Sequence, residues 1–122
     1  MAIDDEEAIR DILVRLLSPD GHTVECFASA EEALGHVQAS AHDIILLDLR
    51  IPGIDGRQFY ERVRDTSPGL AGKIVFLTGD TMSPDTHQFI SSTGNISLSK
   101  PFRREDLRKV IFTVAQRTNT GK

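Results

Sequence analysis

Apolar positions along this chain follow two rhythms, one helical and one extended. Ile9, Ile12, Leu13, Leu16 and Leu17 recur three and four residues apart, which predicts a helix from about Glu6 to Leu17 with one apolar stripe. Ser18-Pro19-Asp20-Gly21 then stops it with turn-forming residues. Thr23 to Phe27 reads as a strand, and Ser29 followed by Glu32 has the spacing of a capping box that opens a second helix to about Ala39. Ile44-Ile45-Leu46-Leu47 is the most apolar run, entered through Asp43 and ended by Asp48. Such a continuous β-branched and leucine run predicts a strand covered on both faces. Pro52, Gly53 and Gly56 form a loop before a third helix over roughly Arg57 to Asp65, which the Ser67-Pro68-Gly69 turn ends. Ile74 to Leu77 is a second buried strand, ending at Thr78. Ser83 and Pro84 read as the N-cap and first-turn proline of a short fourth helix. Ile96 to Ser99 forms a short strand ahead of Lys100-Pro101. Leu107, Val110, Ile111 and Val114 then line one face of a last helix, from Glu105 to about Gln116.

Strand and helix alternate five times if Met1 to Ile3 counts as the stump of a first strand. That order implies an α/β domain over residues 1–116 with a parallel sheet, helices on both faces and right-handed crossovers. A first strand of about five residues would be usual, so the short start is expected to be cut from a longer polypeptide. The polar residues 117–122 are expected to be a frayed tail or linker. Open sheets of this kind bind ligands beyond the carboxyl ends of their strands. The residues directly after the strands are Asp4 and Asp5, Asp48, Thr78 and Lys100.

Composition narrows the picture. At 122 residues the chain is long enough for one core, and its 14 basic and 18 acidic residues give a net charge of −4. Arg103, Arg104, Arg108 and Lys109 are interleaved with Glu105 and Asp106, which reads as a solvated helix face and not a nucleic-acid footprint. No apolar stretch approaches the roughly 20 residues of a membrane span, and no secretory leader is recognisable. The only cysteine, Cys26, excludes an internal disulfide and thiolate metal sites of the Cys₂ or Cys₄ type. The cytoplasm is the expected compartment. His22, His36, His42 and His87 have no metal-ligand spacing, and none reads as a phosphotransfer histidine.

The strand-end set has a common chemistry. Three carboxylates gathered at one edge repel each other, and a hard divalent cation relieves this; oxygen-only ligands favour Mg²⁺ or Mn²⁺. Lys100 could neutralise charge developing on a phosphoryl group, and Thr78 could donate to a phosphate oxygen. An aspartate is a suitable covalent acceptor. Each element alone has a plainer explanation: an acidic first helical turn for Asp4-Asp5-Glu6-Glu7, a turn former for Asp48, a backbone-bonded hydroxyl for Thr78, a snorkelling amine for Lys100. Their joint occurrence at strand ends favours the chemical reading.

Asp4-Asp5-Glu6, the run Ile-Ile-Leu-Leu-Asp-Leu-Arg-Ile-Pro-Gly-Ile-Asp-Gly from 44 to 56, Phe-Leu-Thr-Gly from 76 to 79 and Ser-Lys-Pro-Phe from 99 to 102 together resemble the receiver domains of two-component signalling. The resemblance extends from Ile3 to about Gln116, and the local pattern around Ser97 is similar to receivers fused to hybrid sensor histidine kinases. It implies a flavodoxin-like five-stranded sheet in the order 2-1-3-4-5. It also implies that Asp48 accepts phosphate from a histidine kinase or histidine phosphotransfer domain, and that the chain catalyses only its own phosphorylation and dephosphorylation. Mg²⁺ would be held by Asp5 and Asp48, by Asp4 largely through water, and by the backbone carbonyl of Arg50. Thr78 would be the switch hydroxyl, Lys100 the phosphate partner, and Lys100-Pro101 a cis bond. No direct contact with nucleic acid or membrane is implied, and a monomer or weak dimer is expected.

Two features are individual. Ser97 stands where the family usually carries Tyr or Phe, which reads either as an altered switch without its aromatic half or as a residue that merely fills a tight strand edge. Arg50 and Asp80, two residues after Asp48 and Thr78, are expected to flank the pocket, pair and limit access of hydrolytic water. Two other readings compete: a degenerate receiver acting as a fixed interaction module, and an aspartyl-nucleophile phosphatase. The latter would typically carry a second Asp where Arg50 stands.

Overall fold

The computed structural model describes residues 1–37, 44–50, 56–79 and 84–120. Its core is a parallel sheet of β1 (Ala2–Ile3), β2 (Cys26–Phe27), β3 (Ile45–Asp48), β4 (Ile74–Thr78) and β5 (Ser97–Ser99), in the spatial order β2-β1-β3-β4-β5. The helices are α1 (Glu7–Leu17), α2 (Ala30–Val37), α3 (Gly56–Thr66), α4 (Pro68–Ala71), α5 (Pro84–Thr93) and α6 (Arg104–Thr120). This is the expected flavodoxin-like, doubly wound architecture.

Alternation of side chains across β3 and β4 explains why both runs are apolar throughout. Ile45, Leu47, Ile74 and Phe76 pack with Ile3 against Ala33 of α2, Phe59, Tyr60 and Val63 of α3, and Ile90 of α5. Leu46, Val75 and Leu77 face the other way, with Ala2 and Leu98, against Leu13 and Leu17 of α1 and Leu107 and Val114 of α6. A strand sandwiched in this way has no wet face, so polar residues are confined to its ends. The register then fixes those ends: Ile3 is paired with Phe27 and Leu47, Asp48 with Leu77, and Thr78 with Ser99.

Several boundaries differ from the sequence expectation. β2 is only Cys26–Phe27 and not Thr23 to Phe27, because the two residues of β1 give it no more ladder to join. Ser67-Pro68-Gly69 is not a simple turn: Pro68 opens a one-turn helix, where its missing N–H and fixed φ fit the first position. α6 reaches Thr120 and not Gln116, since no glycine or proline interrupts the chain before Gly121. Other local expectations match. Glu32 N donates to Ser29 Oγ at 3.3 Å, Gly21 ends a 3₁₀ turn with φ of 88°, and Lys100-Pro101 is cis. Asp43, Pro52 and Gly53, and Ser83 as the α5 cap, lie outside the described residues. Among the described residues no helix is long and apolar enough to cross a membrane.

One glycine ties the fold to the end of β3. A Cβ on Gly56 would lie 2.8 Å from Leu49 Cα and 3.0 Å from the Asp48 carbonyl oxygen, backbone atoms that cannot swing aside. At Gly79 a Cβ would meet nothing within 4 Å. Gly56→Ala should therefore cost about 1–3 kcal/mol in urea unfolding, in the range of an overpacked core. Gly79→Ala should stay within about 0.5 kcal/mol of the parent.

Candidate functional site

The carboxyl edge of the sheet gathers its polar residues from the strand register. Asp4 directly follows β1, and its amide still donates to Phe27 O at 3.0 Å, so the sheet itself holds the residue in place. Its side chain is fully buried, and Oδ1 accepts from the Glu6 amide at 2.9 Å. Asp48 is the last residue of β3; its Oδ1 accepts from the Arg50 amide at 2.9 Å. Lys100 follows β5, and its amide donates to the Thr78 carbonyl at 2.8 Å, anchoring the lysine beside β4.

From that anchor the Lys100 ammonium crosses the end of β4. Nζ lies 2.7 Å from Asp4 Oδ2, 3.3 Å from Asp48 Oδ2 and 3.4 Å from Glu6 Oε1. Asp4, Asp5, Glu6 and Asp48 bring carboxylate oxygens within 4.8 Å of one another. Two buried atoms have no hydrogen-bond partner among the described residues: Asp4 Oδ2 and Thr78 Oγ1. The short Lys100–Asp4 contact is thus an ion pair without hydrogen-bond alignment.

The electrostatics follow from one ammonium serving several acids. Burial pushes the Asp4 carboxyl above its ordinary range, and the charge of Asp48 adds to this; Lys100 and the Glu6 amide offset only part. Burial alone would lower the Lys100 pKa, but the close contact with the Asp4 carboxylate and the charges of Asp48 and Asp4 outweigh it and raise the value. The donor set suits a hard divalent ion: it is all oxygen, it carries surplus negative charge, and a buried carboxylate oxygen lacks a donor.

Of the residues expected from the sequence, Asp4, Asp48, Thr78 and Lys100 come together, with Asp5 at the exposed rim. Arg50 is brought in by its own amide, while Asp80 and His42 lie outside the described residues. Ser97 is exposed on β5 and offers no ring. His22, His36 and His87 are not in the cluster, and burial raises the thiol pKa of half-buried Cys26. A cavity of about 330 Å³ is lined by Met1, Val24, Ile44 and Ile111, at the amino ends of the strands, and contains none of the site residues.

Two participants were not anticipated. Glu6 reaches Lys100, and Arg10 Nη1 donates to the Asp4 carbonyl at 2.6 Å, bracing the turn that carries Asp4 to Glu6. A glutamate at the N-cap of α1, where shorter oxygen side chains are preferred, was the available signal for Glu6. Arg10 had none.

Residues 1–112 match the response regulator receiver domain family. The response regulator MprA of Mycobacterium leprae is 31% identical over 118 residues, covering 97% of this chain and 51% of that protein. The C4-dicarboxylate transport transcriptional regulatory protein DctD of Rhizobium meliloti is 32% identical over 86% of this chain and 22% of its own length. The chain thus spans about half the length of MprA and less of DctD. Among solved structures, a chemotaxis protein of Vibrio cholerae superposes with a TM-score of 0.81 at 32% identity, covering 93% of this chain and 94% of that one. A receiver domain protein from Methanospirillum hungatei superposes with a TM-score of 0.90 at 25% identity, over 99% and 95%.

A buried carboxylate whose folded pKa lies above its ordinary value near 3.8 takes stability away as the pH rises from that value through the folded pKa. Without divalent metal, Asp4→Asn should therefore stabilise the domain at pH 7 and raise its Tm. Its advantage over the parent should fade as the pH falls toward 3.8. Thermal melts in EDTA across that range provide the check.

Proposed function

The chain belongs to the response regulator receiver domain family, and from that premise we propose that Asp48 is the phosphoacceptor of a Mg²⁺-dependent phosphorelay. The observation that carries this reading is the unequal use of the two Asp48 oxygens. Oδ1 is occupied by the Arg50 amide, while Oδ2 faces Lys100. Oδ2 is thus the nucleophile. It attacks the phosphorus of a phosphohistidine, the P–N bond breaks with its electron pair returning to the imidazole, and an acyl phosphate forms on Asp48.

Lys100 then exchanges its carboxylate partners for a phosphoryl oxygen, which offsets the charge arriving at the edge. The Thr78 hydroxyl, buried and without a partner, donates to a second phosphoryl oxygen. Asp4, Asp5, Asp48 and the Arg50 carbonyl would hold Mg²⁺, or Mn²⁺ in its place, and the ion supplies charge neutralisation for the transferring group. The phosphodonor is a histidine kinase or histidine phosphotransfer domain. The chain catalyses only its own phosphorylation and dephosphorylation and acts in the cytoplasm as a monomer or weak dimer. With Ser97 in place of a ring, Thr78 carries the report of phosphorylation to the interaction surface. Arg50 stands where an aspartyl phosphatase would carry its acid, so turnover of foreign phosphate esters is not favoured.

Incubation with Mg²⁺ and acetyl phosphate should add one phosphoryl group per chain, located on Asp48 by mass spectrometry of borohydride-trapped peptides. Asp48→Asn and excess EDTA should each abolish it. No adduct on the parent chain overturns the phosphoacceptor reading, and release of many phosphates per chain would replace it with hydrolysis.

A further inference from the structure

Glu6 stands immediately before α1, where a short oxygen side chain would bond the free amides of the first turn. It makes no such bond. Its backbone amide is fixed on Asp4 Oδ1, and its carboxylate is turned to Lys100, 3.4 Å from Nζ. The groups around Lys100 therefore form a depth series. The side chains of Asp4 and Asp48 are 0% and 7% exposed, Lys100 is 15% exposed, and Glu6 is 61% exposed. Glu6 is the outermost of the acids that Lys100 touches. A phosphodonor approaching Asp48 Oδ2 meets the Glu6 charge first and must take the ammonium from it.

We propose that Glu6 is a charge filter at the mouth of the site, selecting phosphodonors by their net charge; the inference rests on the Asp48 reading above. A dianionic donor such as acetyl phosphate is repelled by Glu6 and finds Lys100 already engaged. A phosphoramidate donor, which carries a protonated nitrogen beside its phosphoryl oxygens, presents a smaller net negative charge to the same carboxylate. The chemistry after entry is the same. Oδ2 attacks phosphorus, and either the P–O bond breaks with its electron pair leaving on acetate, or the P–N bond breaks and the nitrogen leaves as ammonia. Phosphohistidine on a protein shares the P–N linkage, and its imidazole is protonatable. Glu6 thus biases the domain toward P–N donors and away from small acyl phosphates. Because the carboxylate is largely exposed, the effect should be modest and sensitive to salt.

The test compares kcat/KM for acetyl phosphate and phosphoramidate at saturating Mg²⁺ and low ionic strength. Glu6→Gln should raise the acetyl phosphate value about three- to tenfold while changing the phosphoramidate value less than about twofold, the size expected of one screened charge. Glu7→Gln removes the same charge one residue away, from an exposed position outside the carboxylate cluster, and should leave the ratio unchanged. In the parent chain, added salt should raise the acetyl phosphate to phosphoramidate ratio, and Glu6→Gln should flatten that dependence. Without metal, the Lys100 side-chain nitrogen resonance should shift in Glu6→Gln and not in Glu7→Gln. Equal effects on both donors, a ratio indifferent to salt, or an unmoved Lys100 resonance overturns the filter. A parent chain that acquires no Asp48 adduct from either donor removes the underlying reading as well. An adduct with an unchanged ratio removes the filter alone.

Discussion

The ammonium of Lys100, set on the end of β5, reaches across β4 to carboxylates at the ends of β3 and β1. Those acids lie where a parallel sheet sends its strand ends, and they would repel each other without a cation between them. One lysine cannot balance Asp4, Asp5, Glu6 and Asp48 together. The edge is held together and left short of positive charge by the same group. Burial, with the charge of Asp48 adding to it, holds the Asp4 carboxyl above its ordinary range even with Lys100 at 2.7 Å. An ion pair this buried is poor evidence for stability and better evidence for a site awaiting further charge.

The apolar layers make this arrangement durable. β3 and β4 are buried along their whole lengths, and their pairing sets Asp48 beside Leu77. β4 and β5 set Thr78 beside Ser99, one residue before Lys100. Slipping either strand by one residue would turn every core side chain to the opposite face, so the hydrophobic pattern fixes the register of the chemistry. Polar residues at strand ends are thereby positioned by groups that never touch them. Gly56 extends the constraint into α3, whose first residue lies against the backbone of Asp48 and Leu49.

What the sequence made legible follows from that hierarchy. The runs at 44–47 and 74–77 are long, apolar and bounded, so the central strands and their terminal Asp48 and Thr78 could be read from pattern alone. Peripheral elements were less legible because their extent depends on neighbours. Thr23 to Glu25 have strand composition, yet β1 reaches no further than the Glu25 carbonyl, which accepts from the Ala2 amide; Pro68 looks like a turn former, yet it equally suits the start of a helix. Glu6 and Arg10 illustrate the same limit at the site. Both lie on the β1–α1 segment, and what they touch depends on where Lys100 and the Asp4 carbonyl fall in space. The six-residue separation of Arg10 from Asp4 gives no hint of that contact.

The two orphaned atoms, taken together, constrain what completes the edge. Asp4 Oδ2 is a buried acceptor without an aligned donor, and Thr78 Oγ1 is a buried hydroxyl whose proton has no acceptor among the described residues. A buried hydroxyl left so costs about 1–3 kcal/mol. A cation alone would serve the carboxylate and leave the hydroxyl proton unused. An anion alone would accept from Thr78 and add to the repulsion around Asp48. A cation and an anionic acceptor arriving together would satisfy both atoms without enlarging the charge imbalance. A divalent metal with a phosphoryl group meets that requirement, and with the phosphoryl group bonded to Asp48 the acceptor for Thr78 persists for as long as the acyl phosphate does. If Asp48 is the phosphoacceptor proposed above, the same pair of atoms would favour the modified edge over the unmodified one, coupling one covalent bond to stability across the sheet.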